Sequence, residues 1–529
     1  MQTNADKVKS KKSVKKRPHI LMEASPPEAS HLENIVTKAN TTVRLRIPAR
    51  WSPLFSSSRY WFHLCLSGFI CGAVYLLLAP PASAKEKADL LVIGGAVITM
   101  DAQHRVIEDG AVAVRGDSIV AVGQTAELEP KFEAARTIDA RGAIVMPGLI
   151  NGHAHAAMSL FRGIADDLSL EDWLHEYIFP AEARNVSEDF VAWGTRLGIL
   201  EMLRGGITTY ADMYYFEDAV ARVTKEAGMR GVLGETIIDF PAPDNKTLPQ
   251  AFAYTQKYLD HWKGDSLIVA AVAPHSMYTC SEKTLQDAAA LARRNQAAIL
   301  IHIAEAPFEL EQSRNKYGLS PVAYLARAGI LGPDVVGAHC IWVDHADIAT
   351  LAHFGVGCIH NPSSNMKTAA GVMPVVEMLA AGEAIGLATD GAASNNDLDL
   401  FEEMDLAAKL QKVARMDSRA LPAEQVVEMA TITGARALHL EKQIGSLEAG
   451  KKADLILVDT SAPHATPMYN VYSQLVYALK ASDVRTVVIG GKIVMQDRQM
   501  LTLNEKEVLA KAQEYKKQIA ASLAKPAAH

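Results

Sequence analysis

Two short motifs in the middle of the chain bring together side chains that can bind a metal. His153 and His155 form an H-x-H pair, and His302 begins an H-x-x-E motif that ends at Glu305. On an extended strand, residues i and i+2 point to the same face, so both imidazoles of the pair can reach one site. Neutral imidazole is a good ligand for zinc or iron. With Asp390 as a carboxylate ligand, three nitrogens and one oxygen would leave a coordination position open for water, as in catalytic zinc sites.

These residues need a common scaffold, and the pattern of apolar runs predicts one. Eight short apolar runs alternate with helical stretches, which is typical of a parallel sheet and predicts an α/β fold with a (β/α)8 TIM-like barrel. In such barrels the catalytic residues lie at the C-terminal ends of the strands. The predicted strands are residues 144–151, 207–213, 231–238, 267–275, 298–305, 335–341, 356–361 and 384–390.

Most of the predicted strands finish with a histidine or an acidic residue. A single histidine is usually a hydrogen-bonded structural residue, but many such ends at one rim of a barrel indicate a shared site. We interpret His360 as support for the turn that follows it rather than as a metal ligand. The residues at these strand ends are His153 with His155, His275, Glu305, His339, His360 and Asp390.

A second, smaller domain is predicted from both ends of the folded region. Residues 88–100 and 111–123 read as short antiparallel strands with glycine turns, and residues 453–458 and 484–494 form a matching set. We therefore predict a composite β-sandwich domain from residues 85–145 and 445–500. The barrel would occupy residues 146–444, and residues 501–529 would form a C-terminal helical tail.

Composition limits the other possibilities. With 529 residues, 49% of them hydrophobic and 21% charged, the chain can bury a large core, which excludes a disordered, collagenous or coiled-coil protein. A formal net charge of −7 argues against nucleic acid as a partner. Five widely spaced cysteines exclude a small disulfide scaffold and a four-cysteine structural zinc site.

The N-terminal region is predicted to serve targeting rather than chemistry. Residues 1–60 carry twelve Lys or Arg against four Asp or Glu, a net charge of +8, which predicts a basic disordered leader. Residues 61–84 contain no charged side chain and end in a small-residue A-x-A pattern, as a signal peptide does. We expect an exported protein cleaved near Ala84, periplasmic or secreted, or a membrane anchor over residues 61–79. A wrongly assigned start codon would instead leave a cytoplasmic protein.

Taken together, the motifs resemble the amidohydrolase superfamily, and within it the methylthioadenosine / S-adenosylhomocysteine deaminase family. The similarity runs over nearly all of residues 88–500, and the motifs are specific when they occur together in this order. They are GHAHAAMSLFRG at 152–163, the H-x-x-E motif at 302–305, AHC at 338–340, HNPSSN at 360–365, TDGAASNN at 389–396 and GSLEAGKKADLILVD at 445–459.

The resemblance implies a role for each residue at the rim. Glu305 would act as the general acid and base, and His339, with Asp390, would orient the attacking water. Four residues would bind one divalent metal, zinc first and iron as the alternative: His153, His155, His302 and Asp390. The substrate contacts of the family match Trp173, Glu182 and His275, together with Glu305 and Asp390.

The implied reaction is hydrolytic deamination of an adenine nucleoside to the inosine analogue and ammonia. The candidate substrates are 5′-methylthioadenosine, S-adenosylhomocysteine, adenosine and 5′-deoxyadenosine. Two alternatives stay open: an amidohydrolase for another aminated or chlorinated N-heterocycle of the guanine or triazine type, and a ligand-binding scaffold without activity. The partner is in each case a small molecule, membrane contact would involve only the N-terminal segment, and a homo-oligomer is also open.

Two further features of the sequence bear on the chemistry. Amide-hydrolysing relatives bridge two metals with a modified lysine on strand 4, whereas the nearest lysines here, Lys263 and Lys283, lie outside that predicted strand. The deaminase family commonly places arginines after strand 3, where they can bind a substrate carboxylate, but this chain has Glu235 there. We therefore expect Glu235 to disfavour S-adenosylhomocysteine; an acid close to the metal is the alternative role.

Overall fold

Seventeen β-strands run through residues 84–524, the part of the chain that the computed structural model describes. In chain order they are β1 (Glu86–Ile98), β2 (Val106–Arg115), β3 (Ser118–Gln124), β4 (Phe132–Asp139), β5 (Ala143–Pro147), β6 (Leu149–Ala154), β7 (Ile207–Tyr214), β8 (Arg230–Ile237), β9 (Ile268–Pro274), β10 (Ile299–Ile303), β11 (Val335–His339), β12 (Gly357–His360), β13 (Ile385–Leu387), β14 (Leu455–Asp459), β15 (Val484–Ile489), β16 (Lys492–Gln496) and β17 (Gln499–Met500).

Strands β6 to β13 form the predicted barrel. They pair in sequence order, each parallel to the next, and their residues are almost all buried. The sheet closes where the backbone N–H of Asp390 donates to the carbonyl of His153 at 3.1 Å. Strands covered on both faces read as continuous apolar runs, which is why the sequence located them.

One predicted strand is divided in the structure. The run 144–151 breaks at Gly148, so β5 belongs to the second sheet and only β6 enters the barrel. Gly148 lies between β5 and β6 and lets the chain approach β7 closely at this point. A Cβ atom here would collide with the side chain of Thr208 on β7. Because the run is apolar throughout, the sequence did not indicate that its two halves join different sheets.

Helices surround the barrel, and several begin at a side-chain cap. Ser187, Thr247 and Ser281 each accept a hydrogen bond from a backbone N–H in the first turn of the helix that follows. The α-helices are Thr125–Leu128, Leu170–Asp172, Phe179–Asn185, Glu188–Arg204, Glu217–Ala227, Leu248–Trp262, Glu282–Asn295, Pro307–Tyr317, Pro321–Arg327, His345–Phe354, Pro362–Lys367, Val375–Ala380, Leu400–Arg415, Ala423–Met429, Ile432–Ala437, Val471–Tyr477 and Glu505–Leu523. Short 3-10 turns cover Ala156–Phe161, Pro463–Ala465 and Ala481–Asp483, and Trp173–Ile178 is a π-helical turn.

The remaining nine strands form one mixed sheet that joins both ends of the folded region. Its order is β17-β16-β15-β14-β5-β1-β2-β3, with β4 parallel to β1, and the antiparallel β5–β14 pair connects the two ends. Side chains from both ends share one hydrophobic core, which includes Leu90, Val112, Leu455 and Val488. The composite β domain is therefore confirmed.

A buried ion pair links this sheet region to the barrel. Arg230, at the start of β8, donates from Nε to Asp454 Oδ2 at 2.8 Å, and both side chains are buried. The barrel and the composite sheet belong to one compact unit. The two residues are 224 positions apart in the chain. Because Arg230 is the first residue of β8, the ion pair joins the two domains at the end of the barrel opposite the rim where the strands finish.

Two predictions fall on residues outside the described part of the chain. The basic leader (1–60) lies wholly outside it, and so does the predicted signal or anchor segment (61–84), except for Ala84. Across residues 84–524, no helix combines the length and the apolar character needed to cross a membrane.

Candidate active site

The four predicted metal ligands converge at the C-terminal rim of the barrel. His153 is the last residue but one of β6, and His155 directly follows that strand. His302 lies on β10, and Asp390 comes three residues after the end of β13. The Nε2 atoms of His153 and His155 lie 3.5 Å and 3.4 Å from Oδ1 of Asp390. The ring centroids of His153 and His302 are 5.0 Å apart. These separations suit several ligands around one ion. Potential ligand atoms form two triplets here: His153, His155 and Asp390 make one, and His153, His302 and His339 make the other.

Backbone carbonyls fix which nitrogen of two histidines faces the centre. Nδ1 of His155 is 2.7 Å from the carbonyl oxygen of Met213, and Nδ1 of His302 is 2.8 Å from that of His275. A carbonyl can only accept, so each Nδ1 carries the proton and each Nε2 keeps its lone pair. Outer hydrogen bonds of this kind orient metal-binding histidines.

The third histidine shows that the site fits a cation. Nε2 of His153 is buried and has no hydrogen-bond partner among the described residues. Burial lowers the pKa of His153 to about 4, which favours the neutral imidazole that can bind a metal. A buried polar atom without a partner is costly, and a divalent ion would satisfy it. Three such nitrogens and one carboxylate match the donor set of catalytic zinc or Fe(II) sites.

Asp390 is held by three hydrogen bonds. Its Oδ2 accepts from Ser364 Oγ at 2.6 Å and from Ser394 Oγ at 3.1 Å, and its Oδ1 accepts from the N–H of Gly391 at 2.7 Å. Burial alone would raise the pKa of Asp390, but the imidazoles of His153 and His155 beside its Oδ1 lower it well below its usual range. Its backbone is left-handed, with φ 63°. Such conformations are uncommon outside glycine and collect at functional sites.

Glu305 and His339 face each other beside this centre. Oε1 of Glu305 lies 3.6 Å from Nε2 of His339. Burial, together with the nearby charge of Asp390, raises the pKa of Glu305 to about 8. On the other side of the His339 ring, Nδ1 lies 2.9 Å from Asn365 Oδ1 and 3.1 Å from Asn361 Nδ2. A glutamate that titrates near neutral pH can both take and return a proton.

A cavity opens above these residues. All five predicted substrate-contact residues line it: Trp173, Glu182, His275, Glu305 and Asp390. Trp173 lies on the π-helical turn, and π-helical segments occur frequently at functional sites. His275 follows β9, and its Nδ1 lies 3.0 Å from Oγ1 of Thr279. The predicted substrate contacts and three of the predicted metal ligands, His155, His302 and Asp390, therefore lie along one cavity, and their roles in binding stay predictions.

The surroundings of Glu182 differ from those we expected. The Phe-Pro-Ala-Glu sequence at 179–182 indicates a loop with a solvated carboxylate, but Glu182 lies on the helix Phe179–Asn185 and is buried. Tyr214, the last residue of β7, donates from its hydroxyl to Glu182 Oε1 at 2.7 Å. Burial raises the pKa of Glu182 to about 7. The Phe-Pro start of this helix reads as a loop signal, although Pro is well tolerated in a first turn.

The expectation for Glu235 is wrong. Glu235 is fully buried and does not line the cavity, whereas the next residue, Thr236, does. Its Oε2 accepts from the backbone N–H of Glu217 at 3.0 Å, and its Oε1 accepts from Asn245 Nδ2 at 3.3 Å. Successive residues of a strand point to opposite sides, and the sequence alone did not show which of the pair faces inward.

Several residues that hold the site were not singled out in the sequence. Glu309 accepts hydrogen bonds from the backbone of Glu305, and Glu403 accepts from Ser363 and Asn395. The serines and asparagines that hold Asp390 and His339 come from the HNPSSN and TDGAASNN motifs, so their presence in those motifs was a usable signal. The lysines Lys263 and Lys283 are exposed and do not line the cavity, as expected.

A barrel with histidines and an aspartate gathered at its C-terminal rim defines the class of metal-dependent hydrolase barrels. The sequence profile of the Amidohydrolase family matches residues 144–494, and that of an imidazolonepropionase-like composite domain of bacteria matches residues 110–132. The chain belongs to the amidohydrolase family.

Individual relatives match over most of the chain. It is 48% identical to the 5-methylthioadenosine/S-adenosylhomocysteine deaminase 1 of Syntrophus aciditrophicus (strain SB), over 83% of this chain and 100% of that protein. It is 42% identical to a 5′-deoxyadenosine deaminase of Methanosarcina mazei, over 82% and 99%. Among solved structures, a zinc-bound adenosine deaminase from Xanthomonas campestris superimposes with a TM-score of 0.81 at 39% identity, covering 83% of this chain and all of that one.

Proposed function

We propose that this protein is a metal-dependent hydrolytic deaminase of adenine nucleosides, releasing ammonia and the inosine analogue. The observation that carries the proposal is the convergence of the four ligand residues with Glu305 and His339 at one end of a single cavity. The names of the relatives agree with this reaction. Zinc is the metal we expect, because the donor set is three imidazoles and one carboxylate and the Xanthomonas campestris structure binds zinc.

The cation and Glu305 supply different parts of the chemistry. His153, His155, His302 and Asp390 would hold a divalent cation, which when bound would lower the pKa of water towards neutrality. Glu305 takes a proton from the attacking water and delivers it to the ring nitrogen beside the amino-bearing carbon. The remaining hydroxyl proton then passes to the amino group, the C–N bond breaks, ammonia leaves and the carbonyl forms. Burial raises the pKa of Glu305 above its ordinary value, which favours a carboxyl group that can hold a proton as well as release it.

His339 and Asp390 define the direction of attack. Asn361 and Asn365 hold the His339 ring from behind, so its Nε2 faces Glu305 and the reacting water. The two serines hold Oδ2 of Asp390 and leave Oδ1 directed towards His153 and His155. Fixed polar groups of this kind stabilise charge as it develops, without the cost of reorganising solvent.

The rest of the cavity binds the nucleoside. Glu182 can accept hydrogen bonds from both ribose hydroxyls, since Tyr214 fixes one of its oxygens in place. His275 lies beside His302, with ring centroids 4.6 Å apart, and can contact the base. Trp173 contributes an aromatic surface to the wall of the cavity. Groups far from the reacting carbon thus position the purine.

An ammonia-release assay tests the proposal. The purified protein, loaded with zinc, is offered adenosine, 5′-methylthioadenosine and 5′-deoxyadenosine, with guanine, an aminotriazine and a chlorotriazine in parallel. We expect ammonia from the adenine nucleosides and a shift of the ultraviolet spectrum from adenine to hypoxanthine. Turnover of guanine or a triazine alone would refute the nucleoside assignment, and no turnover of any compound would favour a scaffold.

Export of the protein is a separate proposal. Strand β1 begins at Glu86, so cleavage after Ala84 would remove no residue of the sheet. The Syntrophus relative is matched over its full length by 83% of this chain, so this chain also contains residues outside the common part. Amino-terminal sequencing of protein from the native cell, combined with fractionation, separates a cleaved protein from an anchored or cytoplasmic one.

A further inference from the structure

The catalytic cavity is lined without a fixed positive charge. Among the described residues that form its walls there is neither a lysine nor an arginine. Its acidic side chains are Glu182, Glu305 and Asp390, and its histidines are directed at the metal site or the base. Burial of a carboxylate is costly unless it is paired with a cation or well hydrogen-bonded. An anionic group on a substrate would therefore enter this cavity without compensation.

The wall formed by β7 and β8 likewise offers an anion no cationic partner among the described residues that line the cavity. Thr236 faces the cavity from the end of β8. Behind it, Asp212, Glu217 and Glu235 are buried, and Asp244 is half-buried. Both carboxyl oxygens of Glu235 accept hydrogen bonds, one from the backbone N–H of Glu217 and one from Asn245 Nδ2, rather than from a cation. The wall has several carboxyl groups and no described lysine or arginine among these contacts.

The position of Glu182 indicates which part of a nucleoside meets this wall. Glu182 is hydrogen-bonded to Tyr214 on β7, and Tyr214 is paired with Glu235 in the β7–β8 register. Thr236 is the next residue along β8. With the base at the metal and the ribose at Glu182, the 5′ substituent would extend along the part of the wall that includes Thr236, which lines the same cavity as Glu182. Apolar side chains from residues 158–179 complete the walls: Met158, Leu170, Leu174, Ile178 and Phe179.

We propose that this cavity selects adenine nucleosides with an uncharged 5′ substituent and discriminates against those that carry a carboxylate there. The proposal rests on the proposed deaminase function and narrows its substrate class. Thioether, deoxy and hydroxyl groups at the 5′ position fit the apolar wall and Thr236. The carboxylate of an amino-acid substituent finds no cationic partner among the lining residues, so S-adenosylhomocysteine should be a poor substrate.

A matched pair of substrates isolates the charge. Adenosine bearing a 5′-(3-carboxypropyl)thio group is compared with the corresponding carbamoyl compound, which has the same shape and no charge. The holoenzyme should deaminate the carboxylate with a kcat/KM at least about 10-fold lower, because its anion is left unpaired. Equal values for the two compounds would overturn the proposal while leaving the deaminase function intact. Failure with adenosine and 5′-methylthioadenosine as well would instead refute the deaminase function itself.

A substitution at Thr236 tests where the discrimination arises. T236R places a cation on the wall beside the 5′ substituent, and T236M adds bulk without charge. T236R should reduce the ratio of kcat/KM for the carbamoyl compound to kcat/KM for the carboxylate at least threefold. T236M should leave this ratio unchanged. An unchanged ratio in a folded T236R enzyme would contradict the assignment of this wall to the 5′ substituent. If T236R does not fold, the comparison in the unaltered protein still decides whether the discrimination exists.

Discussion

Glu309 holds the backbone of Glu305 through two hydrogen bonds to one carboxylate. Oε2 of Glu309 accepts from the N–H of Glu305 at 2.8 Å, and Oε1 accepts from the N–H of Ala304 at 3.1 Å. Ala304 has a left-handed backbone with φ 50°, directly after β10. The helix Pro307–Tyr317 thus fixes the turn from which Glu305 projects, and Glu309 acts as a positioning residue.

Replacement of Glu309 should impair turnover more than binding. E309Q keeps one acceptor oxygen and loses the other, so the turn gains freedom and Glu305 is less well placed. We expect kcat to fall about 10-fold or more with little change in KM, because small displacements of a reacting group are costly. E311Q, at an exposed position on the same helix, is the control. An unchanged kcat in E309Q would show that Glu305 does not depend on this support.

Glu305 itself should be essential for turnover but not for metal binding. E305Q preserves the shape of the side chain and removes its ability to shuttle a proton, so kcat should fall by about 10²–10⁴-fold. Zinc content, measured by elemental analysis of the purified variant, should match that of the unaltered protein. Full activity in E305Q would refute the shuttle role, and loss of zinc would mean that Glu305 helps to bind the metal.

Glu403 should stabilise metal binding without touching the cavity. Its carboxylate accepts from the N–H of Ser363 at 3.0 Å and from Asn395 Nδ2 at 2.7 Å. The neighbouring residues, Ser364 and Ser394, donate to Asp390. Glu403 therefore joins the two loops that hold this predicted ligand.

The E403Q variant tests this link. A glutamine presents an N–H to Asn395 where an acceptor is needed, so the two loops should separate slightly. We expect zinc to be lost to a chelator about 10-fold faster, as is typical when support of a metal ligand is removed. D390A sets the upper limit of the effect, and E402Q, at the exposed neighbouring position, is the control. Identical release rates for E403Q and E402Q would contradict the link.

The pH dependence of KM should reflect Glu182. Burial raises its pKa to about 7, above the ordinary value of a glutamate, because the buried site disfavours the charged form. As the pH falls through about 7, Glu182 becomes protonated and loses charged acceptor capacity for the ribose hydroxyls. KM for 5′-methylthioadenosine should therefore rise below about pH 7 and level off above it. E182Q should raise KM at high pH and make KM independent of pH near 7. If KM of E182Q still rises below about pH 7 by the same factor, the pH dependence belongs to another group.

The sequence by itself determined the architecture and the reacting groups. Alternating apolar runs located all eight barrel strands, because strands buried on both faces must be apolar throughout. Parallel strands end at a common rim, so His153, His302 and Asp390 could be assigned to one site although they are far apart in the chain. Resemblance to the amidohydrolase superfamily then supplied the roles, and the structure confirmed that these groups meet.

Only the tertiary structure decided how the groups are aimed and supported. The division of one apolar run at Gly148 and the choice of Thr236 rather than Glu235 as the lining residue depend on which sheet and which face each residue joins. The left-handed turns at Ala304 and Asp390 end the strict alternation of the strands, so side-chain directions beyond them do not follow from spacing. Hydrogen bonds such as Glu403 to Ser363 join segments that meet only when the barrel closes, and no local pattern encodes them.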